Sequence, residues 1–213
     1  MWMPIIAKTD TESETIIRIP TDSAQWPIRI RPTVPLDDDA LLAISAANQP
    51  LRIEQCPDGE LIFMPPSGSD VGRITFAIMV RFGAWVERDG SGIGFTTDTG
   101  FRLPNNAVRG PDTSWIRKER WEAITPELRK KFVPLAPDFV IEIRSPSDRL
   151  RDQKAKLEEY MACGVQLGWL IDPIKHTIWI YRPGKQPERQ TNPERIVGEP
   201  PIDGFVLELH DLW

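Results

Sequence analysis

The chain has 213 residues, 40% of them hydrophobic and 27% charged, a length and balance suited to one globular domain with embellishments. No apolar run approaches the ~20 residues a membrane helix needs, and the start, Met1-Trp2-Met3-Pro4, lacks the basic segment of a secretory leader, so the expected compartment is the cytoplasm. The net charge of −5 argues against a protein that coats DNA broadly, and Cys56, Cys163, His176 and His210 are too few and too scattered for a structural zinc site.

Residues 1–36 mix short apolar groups with Pro20, Pro27, Pro32 and Pro35 without a helical period, which predicts an extension packed on the domain. A helix is expected from Leu36 to about Asn48, because Asp37, Asp38 and Asp39 place negative charge in a first turn whose free N–H groups favour it. Leu51–Gln55 and Glu60–Met64 read as a hairpin turning through Pro57-Asp58-Gly59. From Ser69 the stripe Val71, Ile74, Ile78, Phe82 and Trp85 recurs every three or four residues, predicting a helix of roughly five turns that ends near Asp89-Gly90. Three β-like segments, 93–99, 101–103 and 107–117, read as a meander, and a basic, partly helical insertion follows. Phe139–Ile143 is an apolar run interrupted by one acid, which suits a central strand buried on both faces. Arg149–Cys163 is expected to be a helix stopped by Gly164, and Leu167–Ile171 with Thr177–Tyr181 a further strand pair. Residues 186–213, rich in Pro and charge, are expected to form a peripheral C-terminal extension to a domain spanning 37–185.

Glu142 is the residue to explain first, since an isolated carboxylate in a strand of Phe, Val and Ile is costly to bury without a partner. An arginine such as Arg144 or Arg102 would compensate it, and so would a divalent cation: Mg²⁺ or Mn²⁺ takes oxygen ligands from one or two carboxylates and leaves room for water and substrate phosphate. Asp112, near the start of a neighbouring strand, would aim a second carboxylate at the same ion. The third component is a cation able to orient the attacking water and stabilise charge in the transition state. Lys156 is the candidate, with Lys154 and Arg144 as rivals; Lys154 lies about 200° round the helix from Lys156, so only one of the two lysines should face the site. Basic runs follow both acids, at 117–131 and 144–156, and they suit either phosphate contact or solvated helix faces. Glu54 could add a ligand, though a surface hairpin carboxylate is the simpler reading. Ser145 and Ser147 could bind phosphate, yet capping of the helix beginning near Arg149 explains them as well. Trp115, Trp121 and Trp169 are read as core or interface aromatics.

The ordered set Asp98-Thr99-Gly100-Phe101-Arg102-Leu103-Pro104, Pro111-Asp112, Pro137 to Asp148, Asp152, Lys156, Tyr160, Gly164-Val165 and Trp169 to Pro173 resembles the Uma-type restriction endonucleases of the PD-(D/E)XK nuclease superfamily. The resemblance implies a restriction-endonuclease-like α/β (α+β) fold, a mixed central sheet flanked by helices. It also implies that the superfamily's lysine, which follows the strand Glu by two positions, has moved to the next helix as Lys156, since Arg144 occupies its usual place. Asp70 stands where many family members carry a His. The implied activity is Mg²⁺-dependent hydrolysis of DNA phosphodiester bonds, with Asp112 and Glu142 as ligands, Lys156 positioning the water, and Arg144, Lys154 and Ser145 near the substrate. Cutting both strands would favour a homodimer. The alternative is a nuclease-fold protein that binds nucleic acid with little or no activity, which Arg144 at the usual lysine position permits. A third reading is an interaction protein with a tryptophan-rich surface.

Overall fold

The computed structural model describes residues 26–213, together with the backbone pairing of β1 (Trp2–Lys8) and β2 (Glu14–Pro20) as an antiparallel hairpin. The expected packing of the N-terminal extension therefore lies, for residues 1–25, outside the described residues. Beyond it, β3 (Ile28–Ile30) leads to α1 (Asp38–Ala47), whose N-cap Asp37 accepts a hydrogen bond from the Ala40 N–H at 2.8 Å, satisfying one of the free donors of the first turn. The hairpin expected next forms as β4 (Arg52–Gln55) and β5 (Leu61–Met64), with Gly59 in the left-handed conformation that its turn requires. Helix α2 (Ser69–Asp89) buries the predicted stripe of Val71, Ile74, Ile78, Phe82 and Trp85 and closes on Gly90 at φ 68°.

The predicted meander does not form. Its residues divide into β6 (Gly92–Thr96), β7 (Phe101–Arg102), β8 (Val108–Arg109) and β9 (Thr113–Arg117), followed by the short helix α3 (Lys118–Glu122). β6 pairs directly with β9, whereas β7 and β8 pair with each other and join β4 through Gln55 and Val108. The Gly110-Pro111 step breaks the third segment, because proline cannot donate to a ladder, and it hands the chain from one sheet to the other.

The remaining elements are β10 (Phe139–Ile143), α4 (Leu150–Ala162), β11 (Leu167–Asp172), β12 (Thr177–Tyr181), β13 (Glu188–Thr191), β14 (Arg195–Val197) and β15 (Val206–Glu208). A six-stranded sheet runs in the order β13-β12-β11-β10-β9-β6, and a five-stranded sheet in the order β3-β5-β4-β8-β7. Within the larger sheet only β10 and β11 are parallel, joined through α4 as a parallel pair requires. The fold is a mixed α/β architecture, as expected, and no helix among the described residues is long and apolar enough to cross a membrane.

Side-chain alternation along β10 divides the core. Phe139, Ile141 and Ile143 pack with the α2 stripe, while Val140 packs with Leu157 and Tyr160 of α4. Gly168 in β11 lets α4 come close: a Cβ there would stand 2.7 Å from Leu157 Cδ1. Residues 186–213, expected to be peripheral, are a correction. Ile196, Ile202, Phe205, Leu207, Leu209 and Leu212 join the α2 side of the core, and the Phe205 ring lies 5.1 Å from Phe82 and 5.7 Å from Trp169. Truncating a buried aromatic of this kind costs about 3–5 kcal/mol. Phe205→Ala is therefore expected to lower the unfolding free energy by that amount in urea titration; a loss under ~1 kcal/mol would mean that the C-terminal segment is not integral to the core.

Candidate active site

β9 and β10 run antiparallel with Thr113 opposite Ile141, so one step along the same register sets Asp112 across from Glu142. Residues opposed in this way share a face of the sheet, and the alternation of β10 makes it the face covered by α4. Asp112 is fixed from three sides. Its Oδ2 accepts the Ile143 N–H at 2.8 Å, and its Oδ1 accepts Arg52 Nη1 at 3.1 Å and the Thr97 hydroxyl at 3.4 Å. Arg52 also donates to the Gly110 carbonyl at 2.6 Å, tying β4 to the segment that carries Asp112.

Glu142 is 3% exposed, and its Oε1 accepts both Lys156 Nζ at 2.8 Å and the Tyr160 hydroxyl at 2.9 Å. Lys156 and Tyr160 are four residues apart on α4, hence on one face of that helix. The ammonium has a second partner, Glu54 Oε1 at 2.7 Å. Glu54 is in turn held by the Gly110 N–H at 3.1 Å and by Arg109 Nη1 at 3.1 Å, and Arg109 Nε reaches Glu159 at 2.6 Å. A cavity of about 300 Å³ opens beside these groups, with Asp112, Glu142, Lys156, Arg52 and Ser145 on its walls.

Charge coupling sets the protonation tendencies. Burial pushes the Glu142 carboxyl up, the charges of Asp112 and Glu54 add to that rise, and Lys156 opposes it without cancelling it. Burial acts on Glu54 in the same direction, but Lys156, Arg109 and Arg52 overcome it and hold this carboxylate well below its ordinary range. For Lys156 burial favours the neutral amine, yet Glu142 and Glu54 more than offset it and raise the ammonium. Tyr160 is raised well above the usual phenol range by burial and then by the neighbouring carboxylates, which keeps it a neutral donor.

Of the residues singled out in the sequence, Asp112, Glu142 and Lys156 are brought together and Glu54 joins them. Glu54 is 4% exposed, so the surface-carboxylate reading is corrected: Arg109 and Lys156 compensate the burial. Arg144 and Lys154 point elsewhere. Arg144 pairs with Asp172 at 2.8 Å and bonds the Asp148 carbonyl at 3.2 Å, while the Lys154 ammonium sits over the Trp179 ring at 4.6 Å. Arg102 bonds Asp38 and Gln55, so the counter-ion of Glu142 is Lys156 and neither arginine. Ser145 lies on the cavity wall with its hydroxyl 2.8 Å from that of Ser147. Neither hydroxyl caps α4, whose N-cap is Arg149; the side chain nearest that start, Asp148, accepts the Ser145 N–H at 2.8 Å. Asp70 is exposed in the first turn of α2. Trp115 and Trp169 are core, and Trp121 stacks under Arg129 at 4.4 Å. Arg52 and Arg109 escaped the sequence reading. A signal for Arg52 was present in β4, where Arg52 and Glu54 alternate onto the face opposite Ile53.

Residues 38–210 match the Uma2 family, described as "Putative restriction endonuclease". The chain belongs to the Uma2 family. A solved structure, "a putative nuclease belonging to DUF820 from Anabaena variabilis ATCC 29413", is 23% identical, with a TM-score of 0.65 over 84% of this chain and 97% of that one; the two share a fold. Among curated proteins none matches. This Uma2 chain therefore has a nuclease-family fold around the buried acids. Among the described residues no group of three or more His, Cys, Asp or Glu side chains is arranged to hold a metal ion. The donor set still fits Mg²⁺, which asks for only one or two carboxylates and keeps its waters: Asp112 and Glu142 line the same cavity from neighbouring strands, and the hydrogen bond and ion pair of Glu142 both fall on Oε1.

The two lysines of α4 give a direct check on the charge accounting. Lys156→Met would leave Glu54 and Glu142 buried with less compensation, an expected loss of about 3–5 kcal/mol in denaturant unfolding. Lys154→Met gives up a single contact over Trp179 and should cost no more than about 1 kcal/mol. Equal losses would contradict the assignment of Lys156 as the buried counter-ion.

Proposed function

We propose that this Uma2 protein is a Mg²⁺-dependent endonuclease that hydrolyses phosphodiester bonds in DNA, with the cavity beside β9 and β10 as its active site. The observation that carries the reading is the placement of Asp112 opposite Glu142 with the Lys156 ammonium 2.8 Å from Glu142, two carboxylates and a cation at one cavity. Asp112 and Glu142 would hold the ion. Mg²⁺ held there would supply Lewis-acid polarisation of phosphate and activation of water.

The chain's own groups would do the rest. Arg52 and the Ile143 N–H keep Asp112 from rotating away, and the Tyr160 hydroxyl fixes one oxygen of Glu142, which lines the cavity. Lys156 donates from the helix side, where it can orient a water and offset charge that develops on phosphate. Arg144 and Lys154, both engaged elsewhere, have no part in this arrangement.

Plasmid incubated with Mg²⁺ or Mn²⁺ should be nicked or linearised by the wild-type protein, and chelation of the metal should abolish the reaction. Asp112→Ala and Glu142→Ala should fall to background, and Lys156→Met should lose about 10²-fold or more in rate. Equal cleavage by all four proteins would sink the site. One observation favours a second reading, a nucleic-acid-binding protein with a retired site: Lys156 already compensates both Glu54 and Glu142 without any ion. Calorimetry separates the two, since a retired site takes up no Mg²⁺ or Mn²⁺ even with DNA present.

A further inference from the structure

Glu54 lies within the same cluster as Glu142, but its two oxygens are used differently. Oε1 carries Lys156 Nζ at 2.7 Å and the Gly110 N–H at 3.1 Å, and Oε2 carries Arg109 Nη1 at 3.1 Å. Both oxygens of Asp112 have donors as well, but only one of these, Arg52, is a cation; Glu54 is clamped between two, Lys156 and Arg109, one on each oxygen. The clamp also closes on itself. Arg109 is held by Glu159, which sits three residues beyond Lys156 on α4 and is bonded by Asn105 at 2.9 Å. The chain of contacts Lys156, Glu54, Arg109, Glu159 leaves α4, crosses β4 and β8, and returns to the same face of α4.

We infer that Glu54 is a positioning residue for Lys156 and not a ligand of the metal. The inference rests on the functional reading above for its catalytic consequence, though not for the geometry. An ammonium shared between two carboxylates follows whichever is left to it. A cation held by Asp112 and Glu142 would compete with Lys156 for Glu142, while Glu54, clamped by Arg109 and the Gly110 N–H on a strand of the second sheet, would stay in place. Lys156 then keeps a fixed anchor 2.7 Å away and remains aimed at the cavity, because its long flexible stem would otherwise sample many rotamers.

The test uses the full chain with Glu54→Gln and Glu54→Asp. Mg²⁺ affinity is measured by calorimetry, plasmid cleavage as kcat and KM, and Lys156 exposure as the rate of its acylation in metal-free protein, read by mass spectrometry. A positioning role predicts that Glu54→Gln lowers kcat by about 10–100-fold with KM and Mg²⁺ affinity within about threefold of wild type, and that Lys156 is acylated several-fold faster. Should Glu54→Gln fail to fold, Glu54→Asp, which keeps the charge beside Arg109 but draws it back from Lys156, is expected to show the same pattern. A tenfold or greater loss of Mg²⁺ affinity would make Glu54 a ligand and overturn the inference, as would unchanged kcat and unchanged acylation. If wild-type protein neither cleaves nor binds the metal, the functional reading fails, and the acylation comparison still decides whether Glu54 anchors Lys156.

Discussion

The Lys156 ammonium, 2.7 Å from Glu54 and 2.8 Å from Glu142, is the contact on which the rest of the architecture leans. Two carboxylates at the junction of two sheets cannot remain ionised without a cation, since desolvation alone would neutralise them. The ammonium that compensates them comes from a third element, α4. Its position thus couples three parts of the chain at one point: the hairpin strand β4, the central strand β10 and the helix that covers it. Glycine at 168 belongs to the same requirement, because it lets the helix approach the sheet closely enough for Lys156 and Tyr160 to reach Glu142.

The apolar side of the structure is what allows the polar side to exist. On the α2 face of β10 three large residues pack with the helix stripe and the C-terminal segment, and no polar group of the site intrudes there. The α4 face carries Val140 and then Glu142, so the polar cluster begins where the hydrophobic cluster around Leu157 and Tyr160 ends. Tyr160 marks that boundary, its ring within the core and its hydroxyl on Glu142, the arrangement in which a buried tyrosine contributes area and a donor at once.

How much of this could be read from the sequence depended on whether the deciding information was local. The stripe of α2 was legible because its five apolar positions and its terminal Gly90 all lie within one helix. Glu142 was legible because four apolar neighbours expose it as an anomaly. The meander was misread because strand pairing is a choice between distant partners: two-residue strands such as β7 and β8 carry too few side chains to state which sheet they join. Glu54 was misread for a related reason. Its burial is imposed by Arg109 and Lys156, residues 55 and 102 positions later in the chain, and a hairpin strand seen alone offers no sign of them. In the C-terminal segment, proline and charge masked Ile196, Ile202 and Leu212, and the strand-like alternation of Phe205, Leu207 and Leu209 is too short to state that it packs on the α2 side of the core.

The competition among three cations shows why geometry and not sequence position decides the site. Arg144 stands two residues after Glu142, the place where the resemblance to the wider superfamily would put a lysine, and side chains two apart on a strand share a face. It lies one residue past β10, its N–H still bonded to the Ile171 carbonyl of β11 at 2.8 Å, but Asp172 and the Asp148 carbonyl take its guanidinium. Lys154 and Lys156 share a helix, but two residues of helix turn one away from the other, and Trp179 receives the first. Only Lys156 arrives at Glu142, from a different backbone element and at hydrogen-bonding distance. A carboxylate needs a cation at a point in space, and a strand or a helix can deliver it; Arg144 instead ties the end of β10 to β11 and the loop before α4.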